Sequence, residues 1–339
     1  MFFVNVPALI PTIIGCLLFV PRDRARRLDW FGFATLNLGV GALQLMLNRG
    51  ERHDWFASTE IVIEAAVATL CLYTFLVHTL TARDPFVRPD AFKDRNYSLG
   101  LLFVFIFAFV LQSPIVLLSL FFQHLGGYPV ETVGLLLTPR GAGAFLSMML
   151  AGPLIAWIDP RLIMTSGFLC FMASYWLIAG WTADVSPWVV AWVGILQGFG
   201  SGFVWVPLST LAVATLASRG RDEAIGFFHL LFNVGASIGI VVTIIVALRT
   251  AVVNHAELTE SVTVFSEMFR APFLPGLWTT ASPSGLAALE HEIARQADMI
   301  GYTNGFVLLA LFSVALIPLT YLFARPRARL ARDSSPLGG

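Results

Sequence analysis

Long apolar runs dominate this sequence and limit the structures that it can form. Nine stretches carry almost no charged side chains, near residues 2–20, 30–47, 60–80, 98–122, 131–156, 162–181, 187–216, 225–248 and 301–323. A helix of about 20 apolar residues crosses the hydrocarbon core of a bilayer, where backbone polar groups must be bonded within the protein. We therefore predict an all-α integral membrane protein with about nine transmembrane helices.

The composition agrees with a membrane protein and excludes several other classes. Hydrophobic residues make up 57% of the chain and charged residues only 12%, whereas about a quarter of an ordinary soluble domain is charged. The net charge is zero, but this sum hides an uneven distribution of arginines, so no nucleic-acid or acidic partner follows from it. Cys16, Cys71 and Cys170 each lie inside an apolar run without a second cysteine or a histidine nearby. They are expected to be small buried side chains and not metal ligands.

The number of basic residues alternates between high and low in successive segments that join the apolar runs. This alternation predicts the orientation of the helices. Lysine and arginine concentrate on the cytoplasmic side of membrane proteins. One set of alternate segments holds fifteen basic residues, and the other set holds only Arg49, Arg52, Arg249, Arg270 and Arg295. The rich set is predicted to be cytoplasmic and includes Arg22, Arg24, Arg26, Arg27, Arg83, Arg88, Lys93, Arg95, Arg161, Arg219, Arg221, Arg325, Arg327, Arg329 and Arg332.

The first apolar run, "MFFVNVPALIPTIIGCLLFV", is interpreted as a membrane helix. A signal peptide would have a basic segment before a shorter apolar stretch, and here the basic cluster follows. Nine crossings with a cytoplasmic C-terminus place the N-terminus outside, with no sequence feature to explain its export. We therefore expect an odd number of helices, such as five, to precede residue 1 in the original protein.

The one substantial polar segment, residues 249–300, is predicted to lie outside the cell. Its last part contains a helical pattern that Ser282 or Ser284 is positioned to cap. Two interpretations are open: a short helix over the external mouth or the membrane surface, or a docking face for an external partner. The apolar face of that helix consists of Leu286, Leu289, Ile293, Ala297 and Ile300.

Several stretches resemble the 14-helix EmrB/QacA-type drug:proton antiporters of the major facilitator superfamily. "LDWFGFATLNLGVGALQLMLNRGERHDWFAS", residues 28–58, resembles the extra helix pair that distinguishes this branch. "FFVNVP" resembles the start of the family's sixth helix, "LQGFGSGFVWVPLSTLAVATL" its twelfth, and "IARQADMIGYTNGF" the approach to its last. The chain thus resembles helices 6 to 14, without helices 1 to 5.

The resemblance implies four regions. Residues 1–20 are the last helix of a truncated N-terminal half, 21–97 the inserted pair with cytoplasmic linkers, 98–324 a six-helix C-terminal half, and 325–339 a cytoplasmic tail. The loop 249–300 belongs to the C-terminal half. Two departures stand out: "GPLIAWIDPRL" is a degenerate form of a family loop, and Asn304 stands where the family often has an acidic residue.

The function implied by the resemblance is a proton-coupled multidrug efflux permease of the bacterial inner membrane. Such a protein is not an enzyme, needs no cofactor because the proton gradient supplies the energy, and carries hydrophobic small molecules. A periplasmic adaptor and an outer-membrane channel are implied partners that no residue here indicates. A non-functional truncated reading frame is one alternative. A membrane enzyme acting on lipid-linked substrates is another, but the sequence lacks the clustered His, Asp or Glu that it would need.

Arg140 is the clearest candidate for a functional residue. It lies within an apolar run in "LLLTPRGAGAFLSMML", where a charge is costly by about 2.5 to 3.5 kcal/mol. One interpretation is that it faces the central cavity and attracts an anionic group of the substrate or pairs with a carboxylate. The other is that it reaches the outer headgroups or bonds carbonyls freed near a bend at Pro139.

Four further polar residues are candidates for substrate binding or coupling. Gln112, His229 and Asn233 could line the substrate path, although hydrogen bonds between helices would explain them equally well. Glu64 lies in the inserted pair, so a solvated or interfacial carboxylate is the favoured interpretation there.

Glycines recur every four residues in two of the predicted helices. Such a stripe lets a second helix approach closely, and in a transporter it also lets helices slide. Packing is the favoured interpretation. The candidate packing and hinge residues are Pro139, Gly194, Gly198, Gly202, Gly235 and Gly239.

Overall fold

The computed structural model describes residues 29–50, 53–82, 85–86, 89–182, 184–216, 221–261 and 282–323. The predicted first helix, residues 2–20, and the C-terminal tail, 325–339, lie outside these residues. The predictions made for those two segments are therefore not addressed by the structure.

Eight helices in the described residues are long and apolar enough to cross a membrane. The prediction of an all-α integral membrane protein is confirmed. We number them in chain order: α1 Trp30–Gly50, α2 Thr59–Thr81, α3 Arg95–His124, α4 Val130–Trp157, α5 Pro160–Ala179, α6 Pro187–Val213, α7 Arg221–Ser261 and α8 Pro283–Thr320. Short 3₁₀ turns at Trp55–Ala57 and Pro89–Lys93 lie between α1 and α2 and before α3.

Helices α7 and α8 are much longer than the sequence patterns predicted. They contain 41 and 38 residues, or about 60 Å each at the rise of an α-helix, against a hydrocarbon core of about 30 Å. The prediction of a separate short helix before the last span is wrong, because that segment and the span form the single helix α8. No proline stands between Ser284 and Ile317 to end it, and Ser282 caps its start by accepting a hydrogen bond from the Gly285 amide at 3.1 Å.

Helices α3 to α8 form one bundle around an aromatic core. Helix α4 packs on α6, α3 on α7, α7 on α8, and α5 on both α6 and α8. The rings of Phe107 and Phe171 lie 6.1 Å apart, and Tyr175 stacks on Phe171 at 5.8 Å. All three side chains are fully buried. Large buried rings of this kind fix the relative positions of the helices that carry them.

Helices α1 and α2 form a hairpin beside the bundle. They pack mainly on each other, and the hairpin meets α7 through a small cluster of Leu36, Val40, Phe75 and Val234. Most of the side chains of α2 are exposed, and only Ile61, Ala68, Phe75 and Thr79 are buried. The hairpin therefore adds a thin apolar layer to the bundle and does not contribute to its core.

A carboxylate fastens one end of this hairpin. Asp29 accepts hydrogen bonds from the backbone amides of Gly32 and Phe86, both at 3.0 Å, and lies 2.9 Å from His78 Nε2. Burial tends to raise the pKa of Asp29, but the bonds from Gly32, Phe86 and His78 outweigh it and lower the pKa below its ordinary value. Asp29 thus ties the start of α1 to the end of α2 and to the segment that follows.

Candidate functional site

A cavity of about 620 Å³ opens between α3, α4, α6 and α7. Its wall is mainly apolar, with Leu111, Ile115 and Leu118 from α3 facing Trp205 and Phe232 from α6 and α7. A few polar groups interrupt that wall at separated points. The polar lining residues are Gln112, Arg140, Gln197, Ser201, His229 and Asn233.

Arg140 supplies the positive charge of the cavity. Its Nη2 donates a hydrogen bond to the carbonyl oxygen of Leu111 on α3 at 2.6 Å. Within the described residues it forms no ion pair with a carboxylate, and no acidic residue lines the cavity. Parts of both interpretations of Arg140 are therefore present together. It faces the cavity and it bonds a backbone carbonyl, but that carbonyl lies near Pro114 of α3 and not near Pro139.

His229 and Asn233 lie one turn apart on α7, and both face the cavity. The Asn233 side chain donates a hydrogen bond to the His229 carbonyl at 2.9 Å, so its amide is held against its own helix. The His229 ring lies 5.7 Å from the Trp205 ring. Gln112 reaches the same cavity from α3. The structure thus brings four of the predicted polar candidates together.

Two polar residues near the cavity were missed by the sequence patterns. Gln197 on α6 is only 1% exposed and lines the cavity, and its amide nitrogen makes no hydrogen bond to any described residue. Beside it lies the hydroxyl of the fully buried Tyr175. The sequence could have indicated Gln197, because it directly precedes Gly198 of the glycine stripe and so lies next to a predicted helix contact. Nothing in the sequence distinguished Tyr175 from the other aromatic residues.

The glycine stripe of α6 lies directly against α4. A Cβ atom added to Gly198 would lie 2.6 Å from the Ala144 nitrogen, and one on Gly202 would lie 2.6 Å from the Met148 nitrogen. These separations are too short for carbon and nitrogen that are not bonded. Gly194 is less confined, since its added Cβ would lie 3.5 Å from the Arg140 nitrogen. The close approach positions the cavity face of α4 against α6.

A second close approach joins α7 to α3. A Cβ on Gly239 would lie 2.6 Å from the Phe109 Cα, and one on Gly235 would overlap the Phe105 carbonyl. This contact holds the α7 residues that line the cavity close to the α3 wall. Pro139 lies within α4, directly before Arg140.

Glu64 lies apart from the cavity. It forms an ion pair with Arg49 at 3.1 Å, and Arg49 also contacts Glu60 at 2.7 Å. All three residues belong to the α1–α2 hairpin, where the end of α1 meets the start of α2. Because the hairpin packs outside the bundle, the structure does not bring Glu64 to the other polar candidates.

The described residues contain no group of three or more His, Cys, Asp or Glu side chains that could hold a metal ion. Cys71 on α2 and Cys170 on α5 are free thiols.

Comparison with known proteins gives consistent matches along the chain. The sequence profile of the Major Facilitator Superfamily matches residues 98–259, which cover α3 to most of α7. Multidrug export protein EmrB of Escherichia coli (strain K12) is 30% identical over 333 residues, covering 96% of this chain and 64% of that relative. Multidrug export protein EmrB of Haemophilus influenzae is 29% identical over 334 residues, covering 96% and 65%.

A third relative has a different name. Fatty acid resistance protein FarB of Neisseria gonorrhoeae is 28% identical over 331 residues, covering 96% of this chain and 65% of that protein. The chain spans a little under two thirds of the length of these three relatives. The matches include the α1–α2 hairpin as well as the six-helix bundle. Residues 98–259 thus match the Major Facilitator Superfamily, and the chain as a whole is similar to EmrB-type members of that family.

Proposed function

We propose that this chain is part of a proton-coupled multidrug efflux permease, a secondary active antiporter of hydrophobic compounds. It would act in the bacterial inner membrane with its C-terminus in the cytoplasm. The names of the relatives support the export of drugs, and the arginine-rich segments support the orientation. The expectation that further helices precede residue 1 stays a prediction.

The observation that carries the proposal is the cavity beside Arg140. Its volume of about 620 Å³ lies within the range of pockets that hold drug-sized molecules, about 300 to 1,000 Å³. The wall of Trp205, Phe232 and aliphatic side chains would bind apolar surface without demanding one shape. Separate polar groups such as Gln112 and Gln197 would orient different molecules in different ways.

The charge of the cavity favours some hydrophobic substrates over others. Arg140 has no carboxylate partner among the described residues, so a cation in the cavity would meet an uncompensated positive charge. A neutral or acidic compound would instead accept hydrogen bonds from the guanidinium. The name of the fatty acid resistance relative FarB agrees with this preference.

Proton coupling rests on the resemblance to drug:proton antiporters. His229 and Arg140 are the two lining residues able to carry a charge in the described part of the cavity. A periplasmic adaptor and an outer-membrane channel are proposed as partners by analogy with Gram-negative family members, and the lipid bilayer surrounds the bundle. The alternative of a non-functional reading frame makes the opposite prediction for transport.

Dye efflux tests the proposal. The gene product that contains this chain is expressed in cells that lack their own drug pumps, and the export of a fluorescent fatty acid and of ethidium is followed with and without a protonophore. We expect export of the fatty acid that the protonophore abolishes, and weaker export of the cationic dye. Export of neither dye would contradict the proposed function.

Arg140→Ala tests the role of the cavity. Because hydrogen bonds to charged groups contribute about 1.5 to 3 kcal/mol, we expect fatty acid export to fall by about tenfold or more. Membrane abundance, measured by immunoblot, should fall much less. Arg49→Ala in the α1–α2 hairpin is the matched control and should leave export unchanged. Equal losses of export and abundance would make Arg140 a structural residue.

A further inference from the structure

Helix α3 contains a proline whose consequences reach the cavity. Pro114 lies inside α3, and since proline has no backbone N–H, the carbonyl four residues earlier, that of Val110, loses its helical partner. A buried carbonyl without a partner is unfavourable by an amount comparable to a lost hydrogen bond. The chain has to satisfy Val110 from another helix.

Tyr175 of α5 provides that partner. Its hydroxyl donates a hydrogen bond to the Val110 carbonyl at 2.6 Å, and both residues are fully buried. The next carbonyl along α3, that of Leu111, accepts the hydrogen bond from Arg140 of α4. Two consecutive carbonyls at the proline are therefore held by side chains of two other helices.

The two bonds differ in their access to a ligand. Tyr175 does not line the cavity, so a bound molecule does not reach its hydroxyl directly. Arg140 lines the cavity, and one hydrogen bond to a described residue occupies only one of its five N–H donors. An acidic group would bond to a guanidinium more strongly than a neutral carbonyl does. Of the two bonds, the one from Arg140 is exposed to competition.

We propose that the Pro114 region of α3 is a hinge that Tyr175 positions, and that a ligand opens this hinge by drawing Arg140 away from the Leu111 carbonyl. The part of this inference that concerns transport rests on the proposed efflux function. Tyr175 is a positioning residue, because it acts on the helix and not on the ligand. Cavity occupancy would thereby change the shape of a helix that runs through the bundle core.

Tyr175→Phe tests the positioning role, since it removes the hydroxyl and keeps the ring. Tyr97→Phe is a matched control: Tyr97 is also fully buried and donates its hydroxyl to a carbonyl on another helix, that of Ala224 at 2.9 Å. Both variants should lose similar thermal stability. We expect only Tyr175→Phe to lower kcat for the fluorescent fatty acid, by about fivefold, the factor that corresponds to one hydrogen bond, with KM changed less than about twofold. Equal changes of kcat in the two variants would overturn the proposal.

A double-mutant cycle with Pro114→Ala sharpens the test. Alanine restores an N–H that can bond to Val110, so the Tyr175 hydroxyl becomes dispensable. In the Pro114→Ala background, Tyr175→Phe should then change kcat by less than about twofold, whereas Tyr97→Phe should act as it does alone. Additive effects of Pro114→Ala and Tyr175→Phe would contradict the hinge.

Hydrogen exchange tests the hinge without a measurement of transport. In the purified wild-type protein, the fluorescent fatty acid should speed amide exchange in residues 109–118, and Tyr175→Phe without ligand should do the same. Tyr97→Phe should leave exchange there unchanged. If the wild type transports nothing but Tyr175→Phe still speeds exchange there, the proposed function fails and the positioning role stands. If neither the ligand nor Tyr175→Phe changes exchange, the hinge is wrong whatever the transport result.

Discussion

The six-helix bundle and the α1–α2 hairpin are built by different means. In the most apolar stretch of α3 more than half of the residues are buried, whereas in that of α2 only about a tenth are. In the bundle, backbones touch through glycines and aromatic rings fill the space between helices. In the hairpin, the two apolar helices bury few side chains and are joined by an ion pair at each end. The pairs are Asp29 with His78 and Arg49 with Glu64. The comparison predicts that the bundle is sensitive to shape and the hairpin to charge.

The largest expected effect of a shape change lies in the bundle. Gly198→Ala would place a methyl group against the α4 backbone, so α4 and α6 must separate. Overpacking of this kind destabilises by about 1 to 3 kcal/mol, which corresponds to a fall of roughly 2 to 6 °C in Tm. Thermal unfolding of the purified protein, followed by intrinsic fluorescence, measures it.

Gly41→Ala is the matched change in the hairpin. An added Cβ at Gly41 meets nothing within 4 Å, and alanine favours a helix over glycine. We expect an unchanged or slightly raised Tm. A fall as large as that of Gly198→Ala would remove the distinction between the two regions.

A charge change at the hairpin gives the intermediate effect. Asp29→Asn keeps one amide oxygen for the Gly32 amide but loses the second carboxylate oxygen, which bonds Phe86, and the charge that faces His78; loss of one such hydrogen bond destabilises by about 1 kcal/mol. Hydrogen exchange should become faster in residues 29–36 and 78–86 and stay the same in the bundle. Faster exchange throughout α3 to α8 would mean that the hairpin supports the bundle.

The same carboxylate predicts a pH dependence. Because the pKa of Asp29 in the folded protein lies below its ordinary value of 3.8, its stabilising contribution is present above that value and is lost as the pH falls through the lowered pKa. Local protection of the wild type should therefore decrease below about pH 4. The Asp29→Asn variant should lack that acid-dependent decrease.

The smallest effect is expected at Glu60. Its ion pair with Arg49 is short, at 2.7 Å, but both side chains are largely in contact with solvent. Exposed pairs contribute about 0 to 1 kcal/mol, so Glu60→Gln should shift Tm by less than about 2 °C. Glu64→Gln is the contrasting variant. Because the Glu64 side chain is only 15% exposed, its replacement should lower Tm by more than that of Glu60. A larger effect at Glu60 than at Glu64 would contradict this order.

Much of the fold follows from the sequence, because apolar length alone indicates a membrane span. The predicted positions of eight spans lie on eight observed helices, and charge in an apolar run identified Arg140 without any structure. The direction in which a side chain points was not predictable, since these helices are hydrophobic on nearly all sides and their faces cannot be distinguished. Tyr175 and Gln197 were missed for that reason.

The lengths of α7 and α8 were missed for a different reason. Hydropathy marks where a helix leaves the lipid but not where it ends, so the end of α7 was assigned to a loop and the helical pattern before Ile300 to a separate short helix. In water, backbone hydrogen bonds and contacts between neighbouring helices continue the structure, as in the pair of His255 Nε2 and Glu290 at 3.0 Å. The predicted helix ends were therefore wrong where α7 and α8 pass from lipid into water and stay helical.

Because α7 and α8 are unbroken helices, a change of tilt at one point moves the whole helix. About 60 Å of helix exceeds a 30 Å hydrocarbon core by roughly the same length again, so part of each rod stands in water while the rest is embedded. By simple geometry, a tilt of about 10° of α7 at the cavity would displace its far tip, about 40 Å away, by about 7 Å. A small rearrangement around Arg140 would be magnified at the aqueous tip, where a probe attached near Glu257 could register it from outside the membrane.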